Sequence, residues 1–590
     1  MLLHDATPFV LLDDARPGGT ARLYRNPRAV VQADTPEDVA PLLQALEDAR
    51  AEGQAVAGFL SYEAGRVIEG MAAAAAGALP LGWFGIFDAH EQLDADALAA
   101  LLPDPAGAWI GTPEPELDYA GYAEAFDRVR GWIEAGDIYQ ANLTFRANAP
   151  ILGNPRALYA AIRPRAAAGH GALVWTGADW LLSFSPELFF RIEGSTVSAR
   201  PMKGTARRDP DPVRDAAAAA ALAENPKQRA ENLMILDLLR NDIARVAVAG
   251  SVEVPERFVV EHYPTVHQMV SSVRGILAPG SSSAQALAAL FPCGSVTGAP
   301  KRRAMEVIEA VERSPRGIYT GAIGRIDADG DAAFNVAIRT LHLKPDAEAA
   351  TLGLGSGVVA DSTPAAEWRE CHDKARFLAN GQRRFDLIET MAFDPHRGIP
   401  LLERHLERLK ASARRLGFAF DRHAARNELQ AATFRLEQPS RVRLLLSPSG
   451  AIAVEAGPLP PAPSEPVSIA LVPLPVSPAD FRLRHKTSDR RFYDAARQGL
   501  GCFDVAFVAP DGQVTEGSFT SIFVERDSLL HTPPLSAGLL PGVLRAELLG
   551  TGRAVEALVR QDDLAQGFYV GNAVRGLIRA RLVAEPPSPR

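Results

Sequence analysis

Two isolated lysines pose the first chemical question. Lys203 stands in SARPMKGTARR, after an apolar pair and before a glycine, at an expected strand end. Lys486 stands in RLRHKTSDR, after an apolar-alternating expected strand and beside Arg484 and His485. A lysine in a dry site loses its proton and becomes a nucleophile, and neighbouring cations favour the neutral amine a Schiff base needs. The plainer alternative for each is a solvated cation. Glu187, in FSPELFF, is also placed at a strand end. A carboxyl held in an apolar frame stays protonated and serves as an acid, whereas a surface Lys/Glu pair does neither. Glu231 opens ENLMILDLLRND, and Glu367 and Glu370 in AAEWRECHDKA share one helix face by their i, i+3 spacing. Three carboxylates without a thiolate suit a hard ion such as Mg²⁺, although helical acids are ordinarily solvated. The strings LFPCGSVTGAPKRR and GLGSGVVADSTP free backbone amides that could receive a carboxylate. The second lacks the full GxGxxG spacing and does not read as a dinucleotide loop.

Near the other end, Glu516 in GQVTEGSFTSIF follows an expected strand and turn. A carboxylate so placed could face a pyridinium nitrogen and keep it protonated. LLPGVLRAELL offers amides at a helix start to a phosphate, and HLERL supplies Arg408 for the same group. Taken singly, these are a surface acid, a simple cap and a solvated cation.

The elements that must position these residues fall into two regions, about 1–380 and 382–590. In the first, short strands (PFVLLDD, AVAGFLSYE, LGWFGIFDA) precede a helix over 119–135 that ends at Gly136. MAAAAAGALP reads as a loop or helix end. ALVWTG, WLLSFS, LFFRIEG and STVSARP read as strands, AENLMILDLLRNDIARVA, SSAQALAALFP and APKRRAMEVIEAVER as helices. GAIGRIDADGDAAFNVAIRTLHL reads as one hairpin turning at Asp329-Gly330. From 382 the pattern becomes a hairpin, a basic helix and the hairpin VRLLLSPSGAIAVEAG. The proline-rich PLPPAPSEP then divides this region into two lobes.

Bulk properties narrow the function classes. The 590 residues, at roughly 150 per domain, allow more than one core. A net charge of −9 without like-charge runs gives no footprint for nucleic acid. The three cysteines, Cys293, Cys371 and Cys502, form no CxxC pair, so neither a zinc knuckle nor a disulfide framework is supported. The start carries acids and proline where a signal peptide would be basic and apolar, and no run of apolar residues is long enough to span a bilayer. A cytoplasmic protein without a membrane partner is expected.

AGDIYQANLT, SPELF, PMKGTARR, AENLMILDLLRND, FPCGSVTGAPK, YTGAIG and GLGSGVVADS followed by EWRE resemble, in that order, the chorismate-utilising enzymes, across essentially all of 1–380. That resemblance implies an antiparallel two-sheet sandwich packed with helices. It implies chorismate as substrate and Mg²⁺ held by Glu231 and Glu370, with Glu367 holding metal-bound water. Tyr319, Arg339 and the amides near Gly355 and Gly357 would take the enolpyruvyl carboxylate. His267 matches the family's active-site histidine, Ser295 stands where threonine is common, and Lys301 closes the GAPK string as a substrate-side residue. Gln228 replaces an acid that some relatives carry three residues before the metal glutamate. Lys203 is the discriminating position: the anthranilate branch has a PIAGT-like string, the aminodeoxychorismate branch a PIKGT-like one. The resemblance therefore implies that Lys203 adds to ring carbon 2, that Glu187 protonates the departing 4-hydroxyl, and that ammonia enters at carbon 4. No glutaminase string is present, so a separate glutamine amidotransferase subunit is the implied partner.

H-x-x-R-L, the lysine, EGS and LPGVLR over about 382–580 resemble the fold-type IV pyridoxal-phosphate enzymes, whose two-lobe α/β domain holds the cofactor between lobes. Lys486 maps to the Schiff-base lysine, Glu516 to the ring-nitrogen partner, Arg408, Gly542 and Val543 to the phosphate site, and Asn572 to the substrate side. The leading strand is shortened to RRFDLIETMAF, and Leu544 stands where many relatives carry a hydroxyl. The fold expected overall is α+β. The fusion points to an aminodeoxychorismate lyase releasing 4-aminobenzoate and pyruvate for folate synthesis. An amino-acid aminotransferase or a degenerate scaffold is the alternative for this half, and anthranilate synthase component I the alternative for the first. Dimerisation through 382–590 is an expectation of the fold type.

Overall fold

The computed structural model describes residues 6–72, 77–262 and 266–583. The alanine run inside MAAAAAGALP therefore lies largely outside the described residues. The chain forms two compact units, Met1–Pro103 with Thr112–Ile151 and Tyr159–Gly381, and Asp104–Gly111 with Leu152–Leu158 and Gln382–Arg590. The two short segments group with the second unit because Trp109 and Leu152 pack on its core.

The first unit is built on two antiparallel sheets. One runs in the order Gly298–Ala299, Gln140–Leu152, Ala349–Val358, Thr340–Leu343, Trp180–Ser185, His170–Trp175, Phe9–Asp13, Ala21–Arg25, Glu91–Leu93. The other runs Met202–Arg207, Val266–Ile276, Thr196–Ala199, Leu188–Glu193, Ala332–Val336, Ala322–Ile326, Ala55–Leu60, Gly82–Phe87, Ala29–Ala33. Val10, Tyr24, Phe59, Trp83, Val174 and Ile323 close the core between them. The second sheet's outer face is covered by the helices Val39–Ala51, Pro226–Ala244 and Ser283–Leu290, through Leu42, Leu46, Leu236, Leu239 and Leu287. Because side chains alternate along a strand, each strand here feeds two layers, which explains its nearly continuous burial, as in Ala55–Leu60.

The expected hairpin at Asp329-Gly330 forms between Ala322–Ile326 and Ala332–Val336, with Gly330 at φ 95°. It does not extend to Leu343. After Val336 the chain leaves that sheet, and Thr340–Leu343 pairs with Trp180–Ser185 of the other. The turn is made at Arg339, whose φ of 51° is left-handed. A matching crossing occurs between Trp180–Ser185 and Leu188–Glu193, and Glu187 lies in it. Both crossings thus carry a residue that the sequence marks for chemistry.

The second unit has two lobes joined by the proline-rich stretch. The first lobe packs Leu387–Phe393, Ser440–Leu446 and Ile452–Pro458 against the helices Leu402–Leu416 and Arg422–Thr433. The second is a seven-strand sheet of mixed direction around Val467, Ile469, Ile522, Val570 and Ile578. Lys486 does not follow a strand as expected. Asp480 caps a 3₁₀ turn at Phe481–Leu483 by accepting from the Arg482 amide, and this turn precedes the lysine. Among the described residues no helix is long and apolar enough to cross a membrane.

Candidate functional site

In the first unit, Lys203 sits in a bulge. The strand Met202–Arg207 pairs with its neighbour at Met202 and again at Thr205, and the register shifts between them. Gly204 takes φ 104° there, which an L side chain rarely adopts. Asn232, fully buried, donates to the Lys203 carbonyl at 3.1 Å and accepts from Ser271 Oγ at 2.6 Å. The bulge turns Lys203 Nζ toward Glu231, 3.6 Å away.

Opposite lies the strand Ala349–Val358, whose alternate residues Gly353, Gly355 and Gly357 leave one face without side chains. The Tyr319 ring packs against Gly353, and a Cβ added at Gly357 would come 3.6 Å from Lys203 Nζ. At roughly 3.3 Å per residue this bare strip is about 13 Å long, room for one small ring and its substituents. Burial pushes the Tyr319 hydroxyl up and holds the Arg339 guanidinium below its ordinary range. Arg339 lies 6.0 Å from the Phe377 ring, and no acid pairs with it among the described residues.

Glu187 is buried, and burial pushes its carboxyl up to about 7 against the pull of Ser295 and Lys203. Ser295 Oγ donates to Glu187 Oε1 at 2.9 Å and lies 3.2 Å from Cys293 Sγ. A carboxyl near 7 beside a lysine is equipped to give up a proton near neutrality. Two of the three helical acids pair with lysines. Glu231 faces Lys203, Glu370 pairs with Lys374 at 2.8 Å, and Glu367 accepts from Ser362 Oγ at 2.8 Å. Burial alone would raise Glu370, but Lys374 and Lys203 hold it below its ordinary value. Among the described residues no three of them stand as a preformed metal cluster. Their hard oxygen donors nonetheless fit a divalent cation, which satisfies the same charges that the lysines meet here.

Two expected residues are occupied elsewhere. His267 pairs in register with Ala206, Nε2 lying 2.9 Å from Asp215 Oδ1 and Nδ1 2.7 Å from His262 Nδ1. The structure does not bring it to Lys203. Lys301 is buried against Asp242 at 2.9 Å and donates to the Leu290 carbonyl. Three residues went unmarked in the sequence: Asn232, Gln140, whose buried Oε1 lacks a partner, and Lys374, which donates to the Gly355 carbonyl at 2.8 Å. Lys374 was legible as the i+4 partner of Glu370; the other two belong to strand and helix faces that only the fold brings together.

In the second unit, a cavity of about 460 Å³ opens between the lobes. Lys486, Glu516, Arg408, Gly542, Val543 and Asn572 all line it. The Lys486 carbonyl accepts from Ile388 N, and its Nζ donates to Thr390 Oγ1 at 3.3 Å. Burial, helped by Arg408, pushes this amine down to about 7. Burial pushes Glu516 up to about 7, although Tyr493 donates to its Oε1 at 2.5 Å and the Leu540 amide to its Oε2 at 3.1 Å. Arg408 grips Glu389 with two bonds of 2.8 and 2.6 Å and donates to the Pro541 carbonyl. Burial would raise Glu389, but Arg408 and His405 bring it to about 2. Glu389 was missed, although an acid inside the apolar strand LIETM was a signal. Gly542 caps the helix Val543–Gly550, and a Cβ there would meet Ser521 Oγ at 2.5 Å. Asn572 spends its amide on the turn, donating to Phe519 O and accepting from the amides of Val574 and Arg575. His405 Nε2, Arg443 Nε and Arg490 Nη1 are buried without partners among the described residues, and all three residues line the cavity. A lysine that is half neutral near pH 7, with Arg408 and the helix start at Gly542 on the same walls, fits an anionic aldehyde cofactor.

Residues 7–380 match the model of the chorismate binding enzymes, and residues 386–583 that of the class IV aminotransferases, a domain that implies pyridoxal phosphate. Aminodeoxychorismate synthase component 1 of Escherichia coli is 37% identical over 349 residues, covering 56% of this chain and 76% of that protein. Anthranilate synthase component 1 of Thermus thermophilus is 42% identical over 272 residues, 45% of this chain and 57% of that one. The crystal structure of anthranilate synthase component I from Streptococcus pneumoniae superposes with a TM-score of 0.53 at 24% identity, over 64% of this chain and 93% of that one, and shares the fold. The chain belongs to the chorismate binding enzymes and carries a class IV aminotransferase domain behind its chorismate-binding region.

Proposed function

We propose that the protein is a cytoplasmic, bifunctional 4-aminobenzoate-forming enzyme, with residues 1–380 making 4-amino-4-deoxychorismate from chorismate and ammonia and residues 382–590 releasing pyruvate from it. The observation that carries this is Lys203, set in a bulge beside the glycine strip and within electrostatic reach of Glu187. An alanine there would fit the anthranilate branch; both branches occur among the relatives.

Lys203 adds to ring carbon 2 while Glu187, held by Ser295, gives its proton to the 4-hydroxyl, which leaves as water. Ammonia then forms the bond to carbon 4 and the lysine departs. Tyr319, Arg339 and the amides of the glycine strip orient the enolpyruvyl carboxylate. Glu231, Glu367 and Glu370 would hold Mg²⁺, which when bound neutralises a substrate carboxylate. His267, locked between Asp215 and His262, supports the strand under Lys203. A glutamine amidotransferase subunit supplies the ammonia.

In the second unit, pyridoxal phosphate when bound provides the electron sink for bond cleavage next to an amine-bearing carbon. Arg408, Gly542 and Val543 would hold its phosphate, with Ser521 Oγ offering the hydroxyl that Leu544 lacks, and Glu516 its ring nitrogen. Lys486 is the base that would move the proton. Asn572 shapes the wall on the substrate side, and aromatisation of the ring drives pyruvate out. Pairing of two chains through this half is part of the same reading.

Product analysis tests it. The single chain, given chorismate, Mg²⁺, pyridoxal phosphate and ammonium salt, should yield 4-aminobenzoate and pyruvate. Lys203→Ala should leave chorismate untouched, and Lys486→Ala should accumulate the amino intermediate. Formation of 2-aminobenzoate would place the first unit in the anthranilate branch. Accumulation of the intermediate by the unaltered chain would make the second unit an aminotransferase or a scaffold.

A further inference from the structure

The cavity of the second unit holds more positive charge than a cofactor phosphate needs. Arg408 is already matched by Glu389, yet Arg441, Arg443, Arg490, Arg497 and Arg575 also line the walls. Arg497 is 3.9 Å from Asp494, and Arg575 spends Nη1 on the Pro461 carbonyl. Arg443 and Arg490 differ from these. Each has a buried N–H without a partner among the described residues, Nε in Arg443 and Nη1 in Arg490. Each is also fixed in place. Arg443 stands directly across the strand pair from Thr390, the residue that accepts from Lys486. Arg490 lies four residues after Lys486, ties Nη2 to the Ser518 carbonyl at 2.8 Å, and rests 4.3 Å over the Tyr493 ring. The charges of both act on the Lys486 amine.

An unmet guanidinium N–H in a buried wall is costly, and a planar carboxylate is its natural complement. Two such groups flank one reacting lysine. A substrate with one carboxylate would leave the second cation unpaired. We propose, resting on the reading of this half as a cofactor-dependent amine-processing site, that the cavity selects amines bearing two carboxylates, one held by Arg443 and the other by Arg490. These two arginines are then specificity-determining residues, and they separate a diacid substrate from the single-carboxylate substrates of an ordinary amino-acid aminotransferase.

Calorimetric titration of the full chain, loaded with pyridoxal phosphate, tests this with three unreactive probes: 3-(carboxymethoxy)benzoate, benzoate and phenoxyacetate. The diacid should bind about tenfold or more tightly than either monoacid, the gain expected of one added charge-assisted pair. The first unit also takes dianions, so the measured quantity is the component that Arg443→Gln and Arg490→Gln remove. Each variant should bring the diacid in that component to the level of a monoacid, and Arg443→Lys and Arg490→Lys, which keep the charge, should restore part of it. A diacid that binds no better than benzoate, or glutamine variants that leave the titration unchanged, would overturn the proposal. The visible absorbance of bound cofactor in the same sample reports separately on the underlying reading. A cofactor band without diacid preference sinks this inference alone, and diacid preference without a band sinks only the cofactor assignment.

Discussion

Glu187 and Lys486 are both held near 7, from opposite directions. Burial raises the carboxyl and lowers the amine, since each is forced toward its neutral form. The catalytic consequences have opposite signs. On the proposed reading Glu187 gives a proton to the departing 4-hydroxyl, so the first step should be full below about 7 and fall as pH rises through that value. Lys486 must be unprotonated to capture an aldehyde, so cofactor loading should rise as pH climbs through about 7. Stopped-flow chorismate consumption and the growth of visible absorbance measure the two limbs; parallel limbs would contradict the assignments. Ser295→Ala sharpens the first case. Its hydroxyl bond lowers the Glu187 pKa, and losing about 1 kcal/mol of hydrogen bonding to the ionised form should move the falling limb to higher pH. A pH profile that stays in place would mean that Ser295 does not support the acid. Glu187 was legible because an acid in an apolar string is itself unusual, and Lys486 because it stands beside Arg484 and His485. Asn232 was not, because an asparagine in an amphipathic helix looks solvated until the fold seats it under Lys203.

At the level of elements, position comes from interruptions of regular structure. Glu187 and Arg339 lie where the chain changes sheets, and Lys203 lies in a bulge. The helices Tyr119–Glu134 and Pro226–Ala244 and the turn at Gly330 were readable from periodicity and turn chemistry. The crossing at Arg339 was not, because the residues on its two sides continue one alternating pattern and only long-range pairing separates them. The turn before Lys486 was hidden for a related reason: FRLR alternates like a strand, yet Asp480 caps it into a 3₁₀ turn. The bulge yields a direct prediction. Gly204→Ala would force a side chain into φ 104° and within 3.1 Å of Gln228 Oε1, a strain of about 1–3 kcal/mol. Amination should fall by tenfold or more while cofactor loading in the second unit is unchanged. Chromatographic product analysis and visible absorbance on one sample check both halves, and equal loss in both would indicate general unfolding.

At the scale of the molecule, each unit has its own core and its own set of reactive residues. The candidate site of the first draws on the strands around Lys203 and Gly357; that of the second is lined wholly by residues from Ile388 to Arg575. The boundary near 381 was visible as a change of pattern, but the attachment of Asp104–Gly111 and Leu152–Leu158 to the second unit was not, since it depends on Trp109 and Leu152 finding an apolar surface far along the chain. Two candidate sites on two separate cores lead to the expectation that neither reaction needs the other to be intact. A mixture of Lys203→Ala and Lys486→Ala chains should therefore form 4-aminobenzoate, the first variant accepting intermediate made by the second. The rate should rise with the concentration of the Lys203→Ala chain, because released intermediate must meet a second molecule. Coupled chromatography of 4-aminobenzoate against chain ratio measures this. If the mixture made none while each variant kept its one half-reaction, the intermediate would have to pass from site to site without release, and joining the two units in one chain would then serve transfer and not merely joint synthesis.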